Sequence, residues 1–183
     1  MITFISLLRG INVGARNKIL MADLKALYES LAFTNVTTYI QSGNVVFKRN
    51  AGLSIEEMQE QIETAIRVKY GFGVPVILRT VDEWQKVIAG NPFLINKELN
   101  VEKLHVTFLN KTPEEDAVNT IQKYSFPPDE FIIANKEVYL HVPGGYWETK
   151  LSNKFFESKL KVSATTRNWK TVNNLFEIAT GLC

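Results

Sequence analysis

Val36-Thr37-Thr38-Tyr39-Ile40-Gln41-Ser42-Gly43-Asn44-Val45-Val46-Phe47-Lys48 decides the fold class. Two runs of β-branched and aromatic residues, 36–41 and 45–48, flank Ser42-Gly43-Asn44, whose residue types tolerate the positive φ of a tight turn. The stretch therefore reads as a β-hairpin. Before it, Leu24, Leu27, Tyr28 and Leu31 stand at i, i+3, i+4 and i+7, one apolar face of a helix ending near Ala32. Earlier still are a Gly/Asn-rich loop over 9–20 and an apolar strand over 3–8. After the hairpin, Ser54 and Glu57 form a capping box, and Ile55, Met58, Ile62, Ala65 and Ile66 repeat at helical spacing up to Tyr70. Gly71 and Gly73 stop that helix, and 74–79 is a β-branched run whose Pro75 suits a strand start or an edge. The order is β-α-β-β-α-β, the split βαβ or ferredoxin-like unit.

Thr80 and Glu83 make a further capping box for a short helix to about Ile88, so the first subdomain is expected over 1–89. Gly90-Asn91-Pro92 opens a linker to about residue 101. The second subdomain, 102–183, begins the same way, with a strand over 104–109, a helix over 113–124 and strands over 131–134 and 138–142 joined by Asn135-Lys136-Glu137. Its tail is expected to depart from the pattern. After Pro143-Gly144-Gly145, Leu151 and Phe155 suggest one helix, and Trp169, Val172, Leu175, Phe176 and Ala179 mark another, giving β-α-β-β-α-α. The fold class is thus α+β: a ferredoxin-like subdomain, then βαββ with C-terminal helices. The halves share a topology without a sequence repeat.

With 183 residues, 45% apolar and 22% charged, the chain is long enough to bury a core without staples. Its one cysteine, Cys183, is the final residue, which excludes an intrachain disulfide and favours a reducing compartment. His105 and His141 are the only histidines and lie in no metal-binding spacing, so no metal and no cofactor are expected. The apolar start lacks a basic segment ahead of it and meets Arg9 at once, so it reads as a strand rather than a signal peptide. A cytoplasmic protein with no membrane partner is expected. Residues 1–50 carry six basic and two acidic side chains, and the first 22 hold Arg9, Arg16 and Lys18 with no acid, a local positive region.

Leu7-Leu8-Arg9-Gly10-Ile11-Asn12-Val13-Gly14, Tyr39-Ile40-Gln41-Ser42-Gly43-Asn44-Val45-Val46-Phe47 and Ala164-Thr165-Thr166-Arg167-Asn168-Trp169 together resemble the bacterial family known as domain of unknown function 1697. The resemblance runs from residue 1 to about 180. It implies a ferredoxin-like subdomain followed by a second α+β subdomain, and it lends no activity and no catalytic residue.

Three motifs carry what chemistry the sequence offers. The loop Arg9-Gly10-Ile11-Asn12-Val13-Gly14-Ala15-Arg16-Asn17-Lys18 follows the first strand, where glycine backbone and a helix N-terminus suit an anion. It has neither a Walker loop nor GxGxxG spacing, so a nucleotide fingerprint is absent; its glycines and cations also suit an ordinary solvated connection. Gln41-Ser42-Gly43-Asn44 is first of all a turn. It is expected at the end of the sheet opposite the carboxyl end of the first strand, which would put Arg9 and Asn44 on different surfaces unless the loop folds across. In Ser163-Ala164-Thr165-Thr166-Arg167-Asn168-Trp169 a threonine is expected to cap the last helix. Capping does not require Arg167 or Asn168, and an arginine at a helix start opposes the dipole and points to an anion. No GxSxG elbow surrounds a serine, and Glu56, Glu57, Glu60 and Glu63 read as a solvated helical face. His105 and His141 are expected on the less buried sheet face.

The function expected from these residues is binding of a small phosphate- or carboxylate-bearing ligand between the subdomains, with or without catalysis. Its residues are Arg9, Gly10, Asn12, Gly14, Asn17, Lys18, Arg167 and Asn168, with Arg9 and Arg167 converging on one anion. The alternatives are a weak nucleic-acid-binding module and a structural or oligomeric interaction protein. Nucleic acid is disfavoured because Asn44-Val45-Val46-Phe47-Lys48-Arg49 lacks the aromatic RNA-reading pattern and the net charge is only +2.

Overall fold

The hairpin forms two strands of a four-stranded sheet. The computed structural model describes residues 1–14, 16–50 and 52–181; Cys183 and the Ala15 of the first loop lie outside them. β1 (Ile2–Leu8), β2 (Thr34–Tyr39), β3 (Asn44–Arg49) and β4 (Val76–Thr80) are ordered β2-β3-β1-β4, each neighbouring pair antiparallel. α1 (Met21–Ser30) and α2 (Ile55–Tyr70) complete the β-α-β-β-α-β order, and α3 (Val81–Ala89) follows.

Each helix forms for a local reason. Ser54 and Glu57 cap α2 reciprocally, and Gly71 ends it in the left-handed conformation at φ 77°. Thr80 Oγ1 accepts from the Glu83 N–H at 3.2 Å while a Glu83 carboxylate oxygen accepts from the Thr80 N–H at 2.9 Å, the capping box expected for α3. The apolar stripes of α1 (Leu24, Leu27, Tyr28) and α2 (Met58, Ile62, Ile66) pack on one face of the sheet, against Phe4, Leu8, Val45, Phe47, Val76 and Leu78. Phe47 is the centre, with the rings of Phe33, Phe4 and Tyr28 at 4.4, 5.5 and 5.5 Å.

The second sheet corrects the expectation for the tail. β5 (Leu104–Leu109), β6 (Glu130–Ala134) and β7 (Glu137–His141) are joined by a fourth strand, β8 (Ala164–Asn168), in the order β6-β7-β5-β8, again antiparallel throughout. With α4 (Glu115–Ile121), α5 (Asn153–Leu160) and α6 (Trp169–Gly181) the run is β-α-β-β-α-β-α, the same as the first. Thr165 and Thr166 pair with Phe108 and Thr107 across the ladder instead of capping α6. The cap is Asn168, whose Oδ1 accepts from the Thr171 N–H at 2.8 Å. His141 is also buried, against expectation, with Nδ1 3.3 Å from a Glu130 carboxylate oxygen.

The repetition extends to single residues. Arg79 on β4 and Arg167 on β8 each stand one residue before a helix-capping Thr80 or Asn168, and each pairs with the central strand of its sheet, at Ile5 and Val106. They are 2% and 7% exposed, and each donates to the carbonyl of the preceding residue, Leu78 or Thr166, at 2.9 Å. Tertiary contacts divide the chain into one unit of Met1–Lys86 with the segment from Asn174 onward, and a second of Val87–Asn173.

Candidate functional site

β1 runs antiparallel to β3, so its last residues face the first residues of β3: Leu7 is paired with Asn44. The β2–β3 turn therefore sits at the carboxyl end of β1, not the opposite end expected from the sequence. The Leu8 N–H donates to the Gly43 carbonyl at 2.8 Å, and the Arg9 N–H to the Pro75 carbonyl at 2.9 Å. Gly43, at φ +74°, lies so close to Leu8 and Ile11 that a Cβ there would approach both at 2.7 Å. Glycine is required at that position by backbone conformation and space alike.

Asn12 organises this end. Its Nδ2 donates to the Ile19 carbonyl at 2.9 Å and to the Gln41 carbonyl at 2.8 Å, while its Oδ1 accepts from the Ile19 N–H at 2.9 Å. One carboxamide thus closes the 9–20 loop on itself and ties it to the turn. Asn17 supports it: its Nδ2 donates to the Gly10 carbonyl at 3.2 Å, and its own carbonyl accepts from the Asn12 N–H at 3.1 Å. Asn44, buried, performs the same office in the turn, donating to the Tyr39 carbonyl at 3.0 Å and to Ser42 Oγ at 2.9 Å. The sequence offered Asn12 and Asn17 as ligand contacts, but here their amides build the loop.

Backbone signs alternate along the loop. Gly10, Asn12 and Gly14 are at φ 71°, 55° and 61°, while Arg9, Ile11 and Val13 have negative φ. Alternation of this kind turns successive N–H groups toward a common side, the concavity called a nest. Arg9 is half-buried, and Arg16 and Lys18 are exposed. The N–H groups of Gly10 and Ile11 meet no acceptor among the described residues.

Arg167 and Asn168 belong to the second unit. The Arg167 guanidinium donates to Thr165 Oγ1 at 2.8 Å and to the Thr166 carbonyl, and Asn168 serves as the α6 cap. Arg167 is a strand residue rather than a helix-start cation, which removes the dipole argument made for it. Shifted titrations lie away from the loop. Burial raises the Tyr28 hydroxyl, whose oxygen is 2.7 Å from Ser6 Oγ, and pushes Tyr139 up to about 12, its hydroxyl donating to the Val87 carbonyl at 3.0 Å. Desolvation lowers His105, whose ring stacks on Tyr146 at 5.1 Å. An open cleft of about 440 Å³ in the second unit, between the Pro127-Pro128 turn and the 144–150 loop, presents Asp129, Glu148 and Lys150 and contains none of the expected residues. Among the described residues no cluster of three or more His, Cys, Asp or Glu could hold a metal, and no helix is long and apolar enough to cross a membrane.

Two antiparallel sheets of identical strand order, with an asparagine-clasped loop at one end of the first, define an α+β protein of duplicated topology. The chain belongs to the family described as protein of unknown function DUF1697, whose model matches residues 1–139. Its structure is similar to that of the conserved bacterial protein SP0830 from Streptococcus pneumoniae, with a TM-score of 0.75, 22% identity, and coverage of 98% of this chain and 99% of that one. At that identity the likeness shows the fold. No curated protein matches the chain.

Proposed function

We propose that the protein binds a small phosphate- or carboxylate-bearing ligand at the carboxyl end of β1, in the loop of Arg9, Gly10, Asn12, Gly14, Asn17 and Lys18. One observation carries this reading: the backbone of 9–14 alternates in φ sign, and the Gly10 and Ile11 N–H groups meet no acceptor among the described residues. A nest of backbone N–H groups is selective for an anion, and Arg9, Arg16 and Lys18 add positive charge in a stretch with no acid before Asp23. The Asn12 clasp supports it by holding the concavity rigid before any ligand arrives, which lowers the ordering cost of binding. We read the chain as cytoplasmic on the ground of its single cysteine.

The test is thermal stabilisation by inorganic phosphate. The intact chain should gain melting temperature with phosphate concentration beyond the gain given by chloride of equal ionic strength. The Arg16→Ala/Lys18→Ala double variant, altered only at exposed positions, should keep the unliganded melting temperature and lose most of the phosphate effect. Equal responses in the two proteins would remove the loop from the account.

A further inference from the structure

The cleft of the second unit is built by two loops, 125–129 between α4 and β6 and 144–150 between β7 and α5. Each loop is shaped by its own backbone bonds. The Asp129 N–H donates to the Phe126 carbonyl at 2.8 Å; in the other loop the Gly145 N–H donates to the Val142 carbonyl at 3.0 Å and the Glu148 N–H to the Gly145 carbonyl at 3.2 Å. Thr149 joins the two, its Oγ1 donating to Asp129 Oδ2 and accepting from the Leu151 N–H at 3.1 Å. Walls tied in this way need little ordering when a ligand enters, which lowers the cost of binding. The volume, about 440 Å³, is in the range that small ligands occupy.

Charged side chains of both signs line this one space, and they do not neutralise each other. Asp129 gives one carboxylate oxygen to Thr149, and its Oδ1 meets no donor among the described residues. The Glu148 carboxylate and the Lys150 ammonium enter no ion pair or hydrogen bond among the described residues. Glu148 Oε2 lies over Gly144, where a Cβ would approach it at 3.3 Å, and Lys150 Nζ stands 5.9 Å from the centre of the Phe126 ring. Exposed charges scattered over a surface are ordinarily solvated, but these share a concave space with an aromatic ring and two prolines, Pro127 and Pro128. A simple anion would answer only Lys150, and a simple amine only the carboxylates. A ligand that carries an ammonium and a carboxylate answers all three, and the ring and prolines offer apolar surface to the rest of it.

We infer that this cleft binds a free amino acid with an apolar side group, its ammonium on Asp129 and Glu148, its carboxylate on Lys150, and its side group against Phe126, Pro127 and Pro128. The site is made by the second unit alone and does not rest on the anion reading of the first.

Calorimetric titration of the full chain with phenylalanine, phenethylamine and 3-phenylpropionate, at neutral pH and one ionic strength, compares a zwitterion with its two singly charged counterparts. Phenylalanine should bind about fivefold tighter than either, the gain expected of one further ion pair at a partly exposed site. Lys150→Met, which removes the ammonium and keeps the apolar stem, should bring phenylalanine to the affinity of phenethylamine and leave phenethylamine no weaker than before. Glu148→Gln should weaken phenylalanine and phenethylamine by about fivefold and leave 3-phenylpropionate no weaker. Both positions are exposed, so both variants should keep the melting temperature of the unaltered chain. Either singly charged ligand binding as tightly as phenylalanine overturns the inference. So does phenylalanine binding that neither substitution weakens, which would place the ligand elsewhere on the molecule. Absence of binding by phenylalanine and by leucine throughout the millimolar range also overturns it, and leaves the anion reading of the first unit standing.

Discussion

The two sheets carry the same parts and different connections. In each, the strand order, the buried arginine on the last strand and the helix-capping residue after it are repeated, and the N–H of the central strand's last residue, Leu8 or Leu109, donates to a carbonyl of the hairpin turn at 2.8 Å. The next N–H also repeats, Arg9 donating to Pro75 at 2.9 Å and Asn110 to Ser163 at 3.0 Å. Beyond that point the units part. The first inserts residues 9–20 before α1, with three cations and alternating φ, whereas the second reaches α4 through 110–114 only. Asn110 spends its side chain on the frame, its Oδ1 accepting from the Ser163 N–H at 2.9 Å. The frame repeats and the 9–20 loop does not, so the proposed anion site lies on a part of the first unit that the second lacks.

Substitutions in the shared frame should have the largest effects, and similar ones in both units. Leu27→Ala in the first core and Ile121→Ala in the second should each cost about 2 to 5 kcal/mol in chemical denaturation, since both side chains lie in buried clusters. A cost under about 0.5 kcal/mol for either would show that its helix face was misassigned. Arg79→Ala and Arg167→Ala should each cost about 2 to 3 kcal/mol through lost charge-assisted hydrogen bonds and lost packing of the stem. If one is neutral while the other unfolds the chain, the two arginines are not equivalent and the duplication is topological only.

The turns should respond in opposite senses. Ile40→Asn should stabilise by about 0.5 to 1 kcal/mol by relieving the left-handed backbone, and Asn135→Ile should destabilise by about 1 kcal/mol. Equal signs for the two would mean that side-chain environment, not φ, governs these positions.

The smallest expected effect is on pH dependence. His105 titrates below its usual value in the folded chain because burial disfavours the imidazolium, so the unfolded chain takes up the proton first as pH falls. Its contribution is fully present above about pH 6.5 and is lost as pH falls from there through the depressed folded-state value. Unfolding midpoints of His105→Gln should fall less than those of the unaltered chain over that range. His105 lies in the second unit, so this acid sensitivity belongs to it.

The first sheet was legible in the sequence because its signals are local and mutually consistent: the Ser42-Gly43-Asn44 turn, the Ser54–Glu57 box, and apolar residues at helical spacing. β8 was not. It is a five-residue edge strand of mostly polar residues, and Thr165-Thr166 beside an amphipathic helix looks like a cap although threonine also favours strands. Nor could the residue pattern around Arg167 separate a strand cation that bonds neighbouring oxygens from one at a helix start. At the candidate site the loop residues were legible but their roles were not. Asn12 and Asn17 have the chemistry of ligand contacts, and only the fold shows their amides occupied by Ile19, Gln41 and Gly10. The partnership of loop and turn was deducible in principle from antiparallel pairing, which puts the end of β1 beside the start of β3.

The central claim, that the first unit's loop and not the second unit's shorter connection takes an anion, is tested most directly by a phosphate titration followed through backbone amide resonances. The account predicts that the Gly10 and Ile11 amides shift downfield and saturate together, while Asn110 and Lys111 stay in place. Shifts of equal size in both connections, or none at Gly10 and Ile11 when other amides saturate, would contradict it.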